Sequence, residues 1–232
     1  MAKLLVANWK ANPKTLEEAR ILYAIENKPD VIVCPPAVYA SSLHATGAQD
    51  VFWEAGAHTG QASPEMLAQF GVTHVLVGHS ERRAIGETDE QINKKLKAVL
   101  AHGMTPILLV GEQEKSSARS DFLIDQLTGD FEGIDEKNAK KVLVTYEPVW
   151  AISTHSGGQA DTPENALSAI HEMQGIIDKM YGFRSPMLYG GSVNEKNVAD
   201  FLGHDDICGA VVGGASLRAE EFKKMIEIVS AL

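Results

Sequence analysis

Four kinds of side chain in this sequence stand where they could do chemistry together. Glu147 closes the apolar run "VLVTYE" and is followed at once by Pro148. A residue before proline is pushed out of the helical region, so Glu147 stays extended and its carboxylate projects from the end of the run. His79 follows "VLVG" and precedes "SERR", between a buried strand and a short helical turn. The free N–H groups of such a turn carry partial positive charge, and an imidazole nitrogen that accepts one of them resists protonation. Asn8 and Lys10 lie two apart at the end of another apolar run, so their side chains are expected to lean the same way. Two glycine-rich turns, "YGGSV" (189–193) and "VGGASL" (212–217), follow further runs, and turns of this kind let backbone N–H groups approach an anion. A base, a cation, a titratable imidazole and glycine-rich turns are the parts of an acid–base site.

Such parts need a scaffold, and one pattern repeats along the chain. Short β-branched runs occur at "LLVAN" (4–8), "VIVCPP" (31–36), "VFWEA" (51–55) and "HVLVGH" (74–79). Four more follow at "PILLV" (106–110), "VLVTYE" (142–147), "MLYGG" (187–191) and "AVVGG" (210–214). They are continuous rather than alternating, as in strands buried on both faces of a parallel sheet. Helical patterns lie between them. Thr88 caps the segment to Ala101 with Gln91 three residues on, and Gly103 stands just past its end. Thr162 and Pro163 open a helix to Met180, and Leu217 to Val229 places Phe222, Met225, Ile226 and Val229 on one face. Strands and helices in this alternation predict one α/β domain over 1–232, a single (β/α)8 barrel. A doubly wound open sheet is the competing architecture, but no G-x-G-x-x-G opens any helix. In a barrel the chemistry belongs at the C-terminal strand ends, where Glu54 and Glu112 are expected beside the residues already named.

Composition narrows the partners. The 232 residues carry 21 basic and 31 acidic side chains, a net charge of −10, which argues against nucleic acid or an anionic membrane and favours a small molecule or another protein. No apolar stretch is long enough to span a bilayer, and the N-terminus lacks a small-residue cleavage site. Cys34 and Cys208 have neither metal-ligand spacing nor a disulfide framework, so the cytoplasm is the expected compartment. His171-Glu172 begins a zinc-helix motif, but Gly175 stands where the second histidine would be. "YGGSVN" misses the nucleophile elbow of serine hydrolases, because Asn194 replaces the last glycine. His44, His58, His74, His102, His155, His171 and His204 are read as surface or core histidines.

"ANWK", "VGHSERR", "YEPVWAI", "YGGSV" and "VVGGASL", in this order, resemble the triosephosphate isomerase family over nearly the whole chain. The resemblance implies a proton shuttled between C1 and C2 of a triose phosphate through an enediolate, without cofactor or metal. Glu147 is then the base, as this family illustrates in general accounts of acid–base tuning. His79 is implied as the neutral electrophile, and Lys10 and Asn8 as charge and hydrogen-bond stabilisers. Ser192, Gly213 and Gly214 are implied as phosphate contacts, with Ser80, Glu81 and Tyr189 in supporting roles and Glu81 pairing with Lys10. The stretch after Glu147 reads as a lid, in which Pro148, Val149 and Trp150 are the stiff end and residues 152–159 the part that folds over ligand. Here the sequence departs from the family: the lid is longer, Ser153 replaces a glycine whose N–H contacts phosphate, and the lid-tip lysine is missing. "GAHTGQAS" (56–63) resembles the family's protruding loop, which implies a homodimer in which Thr59 reaches the neighbouring subunit. Two other readings stay open on the residues alone. A different barrel enzyme acting on a sugar phosphate would need metal ligands or another acid–base pair at the strand ends. A non-catalytic binding barrel would dispense with Glu147, His79 or Lys10.

Overall fold

The computed structural model describes residues 3–116, 118–152 and 160–232. Eight parallel strands form a nearly closed barrel: β1 (Leu4–Asn8), β2 (Val31–Cys34), β3 (Gly47–Ala48), β4 (His74–Val77), β5 (Thr105–Val110), β6 (Leu143–Tyr146), β7 (Met187–Tyr189) and β8 (Ile207–Val212). The hydrogen-bonded order runs β2-β1-β8-β7-β6-β5-β4-β3. The ladder thus stays open between β2 and the two-residue β3. The two still meet, because position 47 is glycine: a Cβ there would lie 2.7 Å from the Val33 carbonyl oxygen.

Continuous apolar runs make sense in such a barrel, since alternate side chains enter different apolar layers. In β1, Val6 points inward and packs with Ile32, Leu76, Ile107, Leu109, Leu188 and Val211, which fill the interior. Leu5 and Ala7 face the other way, into the larger layer under the helices. Those helices are α1 (Leu16–Glu26), α2 (Ala37–Leu43), α3 (Pro64–Gln69), α4 (Ser80–Ala84), α5 (Asp89–Ala101), α6 (Arg119–Asp130), α7 (Glu136–Ala139), α8 (Pro163–Tyr181), α9 (Val198–Leu202) and α10 (Ala219–Ser230). The expected capping box of α5 forms in both directions, with Thr88 Oγ1 accepting from the Gln91 N–H at 3.3 Å and Gln91 Oε1 from the Thr88 N–H at 3.1 Å. Removing one such cap costs about 1 kcal/mol. Gly103 takes the left-handed conformation just past α5, at φ +72°. Among the described residues no helix is long and apolar enough to cross a membrane.

Three expectations need correction. Residues 51–55 are not the third strand; β3 lies earlier, at Gly47–Ala48. The apolar side chains of "VFWEA" pack in a loop instead: the Phe52 N–H donates to the Ala62 carbonyl at 2.8 Å, and Phe52 stacks on Trp53. Glu54 therefore does not stand at the barrel mouth. It is exposed and pairs with His58 Nε2 at 3.1 Å. The last helix begins at Ala219, and Leu217 belongs to a 3-10 turn, Gly214–Leu217, that precedes it.

Candidate active site

Glu147 is clamped by its neighbours before its side chain begins. Its N–H donates to the Val110 carbonyl of β5 at 2.8 Å, and on the other side the Gly190 N–H donates to the Tyr146 carbonyl at 2.8 Å. Gly111 lies so close that a Cβ would fall 2.0 Å from the Glu147 carbonyl oxygen, and one at Gly190 would lie 3.4 Å from the Glu147 Cβ. No side chain fits at 111, so strands β5 and β7 hold the Glu147 backbone in one place. The carboxylate is buried, with Oε2 accepting from the Ser80 N–H at 2.9 Å and Oε1 lying 3.1 Å from His79 Nε2. Burial raises its pKa to about 8, against the opposing pull of the Ser80 N–H and the Lys10 charge.

His79 owes its position to Gly78, whose φ of +77° turns the chain at the end of β4. Arg83 secures that turn by donating from Nε to the Gly78 carbonyl at 2.8 Å. His79 caps α4, and its Nδ1 accepts from the Glu81 N–H at 3.1 Å. A nitrogen that accepts an N–H cannot carry a proton itself, so the hydrogen of the imidazole resides on Nε2, the atom facing Glu147. Ser80 contributes its backbone N–H to Glu147, while Glu81 Oε1 holds Lys10 Nζ at 2.6 Å.

Lys10 is not placed by strand alternation, because β1 ends at Asn8. It adopts a left-handed backbone with φ +53°, rare for a side chain of this size. Two bonds support that conformation: Asn8 Oδ1 accepts from the Lys10 N–H at 3.1 Å, and Gln49 Nε2 donates to the Lys10 carbonyl at 2.8 Å. Gln49 also donates to the Cys34 carbonyl at 2.9 Å, tying the ends of β1 and β2 together. Asn8 thereby commits its carbonyl end to the turn and keeps its NH2 end as a donor.

These residues surround one cavity of about 170 Å³ at the C-terminal strand ends, lined by Asn8, Lys10, His79 and Glu147 on one side. Gly190, Gly191, Ser192, Gly213 and Gly214 line the other. A Cβ at Gly213 would meet Lys10 Cε at 3.3 Å, so the last glycine turn lies directly against the cation. Ser192 lines the cavity and donates from Oγ to the Ala151 carbonyl at 2.8 Å. Tyr189 lies behind it, fully buried, with its hydroxyl donating to Asp161 Oδ2 at 3.0 Å. Ser153, and the lid expected over 152–159 apart from Ile152, lie outside the described residues. Ile152 lines the cavity.

Glu112, expected at the barrel mouth beside these residues, does not line the cavity; its Oε1 accepts from Tyr146 OH and from Trp150 Nε1, both at 2.8 Å. It fixes the 3-10 turn Val149–Ala151 that leads away from Glu147. Asn194 and Arg218, each directly after one of the glycine-rich motifs, also line the cavity, whereas Gln49 had no motif to flag it and reaches Lys10 only through folding. Among the described residues no group of three or more His, Cys, Asp or Glu side chains is placed to hold a metal ion. A buried carboxylate base, an imidazole N–H donor and an ammonium group around a cavity with glycine walls can move a proton beside a carbonyl and hold an anion.

Comparison with known proteins gives a consistent result. A family model described as triosephosphate isomerase matches residues 3–229. A protein named triosephosphate isomerase from Roseiflexus castenholzii is 41% identical over 98% of this chain and 97% of its own. Its namesake from Caldanaerobacter subterraneus subsp. tengcongensis is 39% identical over 96% and 98%. That from Clostridium botulinum is 39% identical over 97% and 99%.

Proposed function

The chain belongs to the triosephosphate isomerase family, and we propose that the barrel mouth, as the catalytic domain, interconverts dihydroxyacetone phosphate and D-glyceraldehyde 3-phosphate with Glu147 as the base. One observation carries the assignment of roles: the buried Glu147 carboxyl meets His79 Nε2 at 3.1 Å on the wall of a cavity that Lys10 and the glycine turns complete.

The steps follow from those positions. Substrate enters between Glu147 and His79, and their mutual contact is replaced by two others. The carboxylate faces the C1–H of dihydroxyacetone phosphate, and the Nε2–H donates to the C2 carbonyl oxygen. Glu147 takes the C1 proton, and the C–H electron pair becomes the C1–C2 double bond of the enediolate while the carbonyl pair moves onto oxygen. His79, Lys10 and the Asn8 NH2 stabilise that oxygen where its charge develops. Glu147 then returns its proton to C2, and a proton exchanged between the two oxygens leaves the aldehyde at C1. Ser192 and the backbone N–H groups of Gly213 and Gly214 hold the phosphate, which fixes the reacting carbons over the carboxylate. The direct test is a coupled assay with glyceraldehyde 3-phosphate and no added metal or nucleotide. Absence of turnover would remove the assignment.

Only the carboxylate form can accept the proton, which sets the sign of the pH response. The empty site has a Glu147 pKa of about 8. Below that value the group is mostly protonated, so kcat/KM should climb tenfold per pH unit on the acid side and level off above it. A profile of kcat/KM that is flat from about pH 6 to about pH 9 would take the titrating role from Glu147.

A homodimer is part of the same reading, and the cytoplasm its proposed compartment. Thr59 is exposed on the loop closed by the Phe52–Ala62 hydrogen bond, and Ile85 nearby is 74% exposed. Phe52, Trp53, Arg82 and Ile85 line a shallow cavity between the loops that follow β3 and β4. A mixed surface, with Ile85, Phe52 and Trp53 set among polar side chains, fits a second copy, with Thr59 approaching Asn8 of the partner subunit. Sedimentation should therefore show a dimer at micromolar concentration. An active monomer would refute it.

A further inference from the structure

We propose that Asp161 is a positioning residue for the substrate phosphate, acting through the Tyr189 hydroxyl on the backbone of Gly191 and Ser192. The proposal rests on reading the cavity as a triose phosphate site.

Asp161 does not line the cavity, yet three donors fix its carboxylate. Oδ1 accepts from the Thr162 N–H at 2.9 Å and from Asn165 Nδ2 at 2.7 Å, and Oδ2 accepts from Tyr189 OH at 3.0 Å. Asn165 cannot turn its amide over, because its Oδ1 accepts from Arg119 Nη1 at 3.2 Å. Arg119 is itself held by Glu172 Oε2 at 3.1 Å and Ser168 Oγ at 3.1 Å. The chain Arg119–Asn165–Asp161 is therefore directional: Arg119 donates to Asn165, Asn165 donates to Asp161, and Asp161 keeps its other oxygen as the acceptor for Tyr189.

Its output is the location of one phenolic oxygen. The Tyr189 ring is fully buried and stacked on Phe201, with centroids 4.3 Å apart and planes at 9°. The hydroxyl oxygen lies on the long axis of the ring, so stacking sets the ring plane while the bond to Asp161 restrains the tilt of that axis and with it the oxygen. Gly191 passes directly over that hydroxyl: a Cβ there would fall 2.1 Å from the oxygen. Gly191 and Ser192 in turn line the cavity, and Ser192 Oγ ties the loop to the Ala151 carbonyl. A hydroxyl that shifts by a few tenths of an ångström must carry the anion-binding loop with it. An acceptor-only carboxylate is suited to this post, because its hydrogen bonds are charge-assisted and it has no donor with which to reverse the polarity of the contact.

The test compares the parent protein with Asp161→Ala, Tyr189→Phe and the double variant. Inorganic phosphate serves as the probe for binding, dihydroxyacetone phosphate as substrate, and thermal unfolding as the record of fold. Asp161→Ala should weaken phosphate binding and raise KM about tenfold, the scale of one lost charge-assisted bond, while kcat changes much less. Tyr189→Phe should produce the same split, and the double variant should add little to either single change. A merely structural tie would lower the unfolding temperature and leave phosphate affinity at the parental value. A folded Asp161→Ala with parental phosphate affinity overturns the proposal. Should Asp161→Ala fail to fold, Tyr189→Phe decides alone, and parental phosphate affinity there overturns it equally. A parent protein that neither isomerises the substrate nor binds phosphate overturns the underlying reading, and this proposal with it.

Discussion

Glu147→Asp should lower kcat about 100-fold and leave thermal unfolding close to that of the parent. The loss follows from geometry. Shortening the side chain withdraws the carboxylate by about an ångström, and misplacement on that scale costs on the order of 100-fold. In many proteins the backbone could follow a shortened side chain, but not here. Gly111 is packed against the Glu147 carbonyl so tightly that even a Cβ would lie 2.0 Å from it, and the N–H on the other side is bound to Val110 at 2.8 Å. The fold survives because these contacts are made by the backbone and are indifferent to side-chain length. Isotope exchange at C1 of dihydroxyacetone phosphate should fall in parallel with kcat. Parental turnover with aspartate would remove Glu147 as the base.

Lys10→Met should lower kcat/KM by on the order of 10²–10³, the effect of losing one preorganised group at a developing oxyanion. Methionine preserves much of the length and volume, so the cavity keeps its shape while its cation disappears. The strained backbone of Lys10 is supported by Asn8 Oδ1 at 3.1 Å and Gln49 Nε2 at 2.8 Å, neither of which depends on the side chain. Unfolding should therefore be little changed. Affinity for inorganic phosphate should also fall, because both the phosphate and the enediolate are anions facing the same ammonium group. A folded Lys10→Met variant with near-parental kcat/KM would show that the charge acts elsewhere.

The barrel was legible wherever a strand is buried on both faces, as in "LLVAN", "HVLVG" and "VLVTY", whose side chains divide between the two apolar layers. It was illegible at β3, where the strand is the pair Gly47–Ala48 and a stronger β-forming run follows it. Glycine has no propensity to advertise; it is required at 47 by its approach to Val33, a contact that exists only after folding. The site followed the same rule. Glu147, His79 and Lys10 sit in local patterns whose physics is readable in a few residues: a following proline, a following turn, the end of a run. Gln49 and Asp161 act across the sequence, on partners 39 and 28 residues away. No local pattern marks such pairs.

The contact between Glu147 and His79 in the empty site has a consequence for selectivity. Both reactive groups begin satisfied, the carboxyl by Ser80 and His79, the imidazole by Glu81 and Glu147. A guest must supply enough free energy to separate them, and the three-carbon end of the substrate offers little beyond the bonds it replaces. In the proposed mode of binding the phosphate offers more, held on the far wall by glycine turns that touch neither reacting carbon. Binding of this remote handle is thereby spent on exposing the base. Unphosphorylated dihydroxyacetone carries the same carbonyl and the same acidic hydrogen but no such handle. It meets a closed pair, and the enzyme is in effect blind to it.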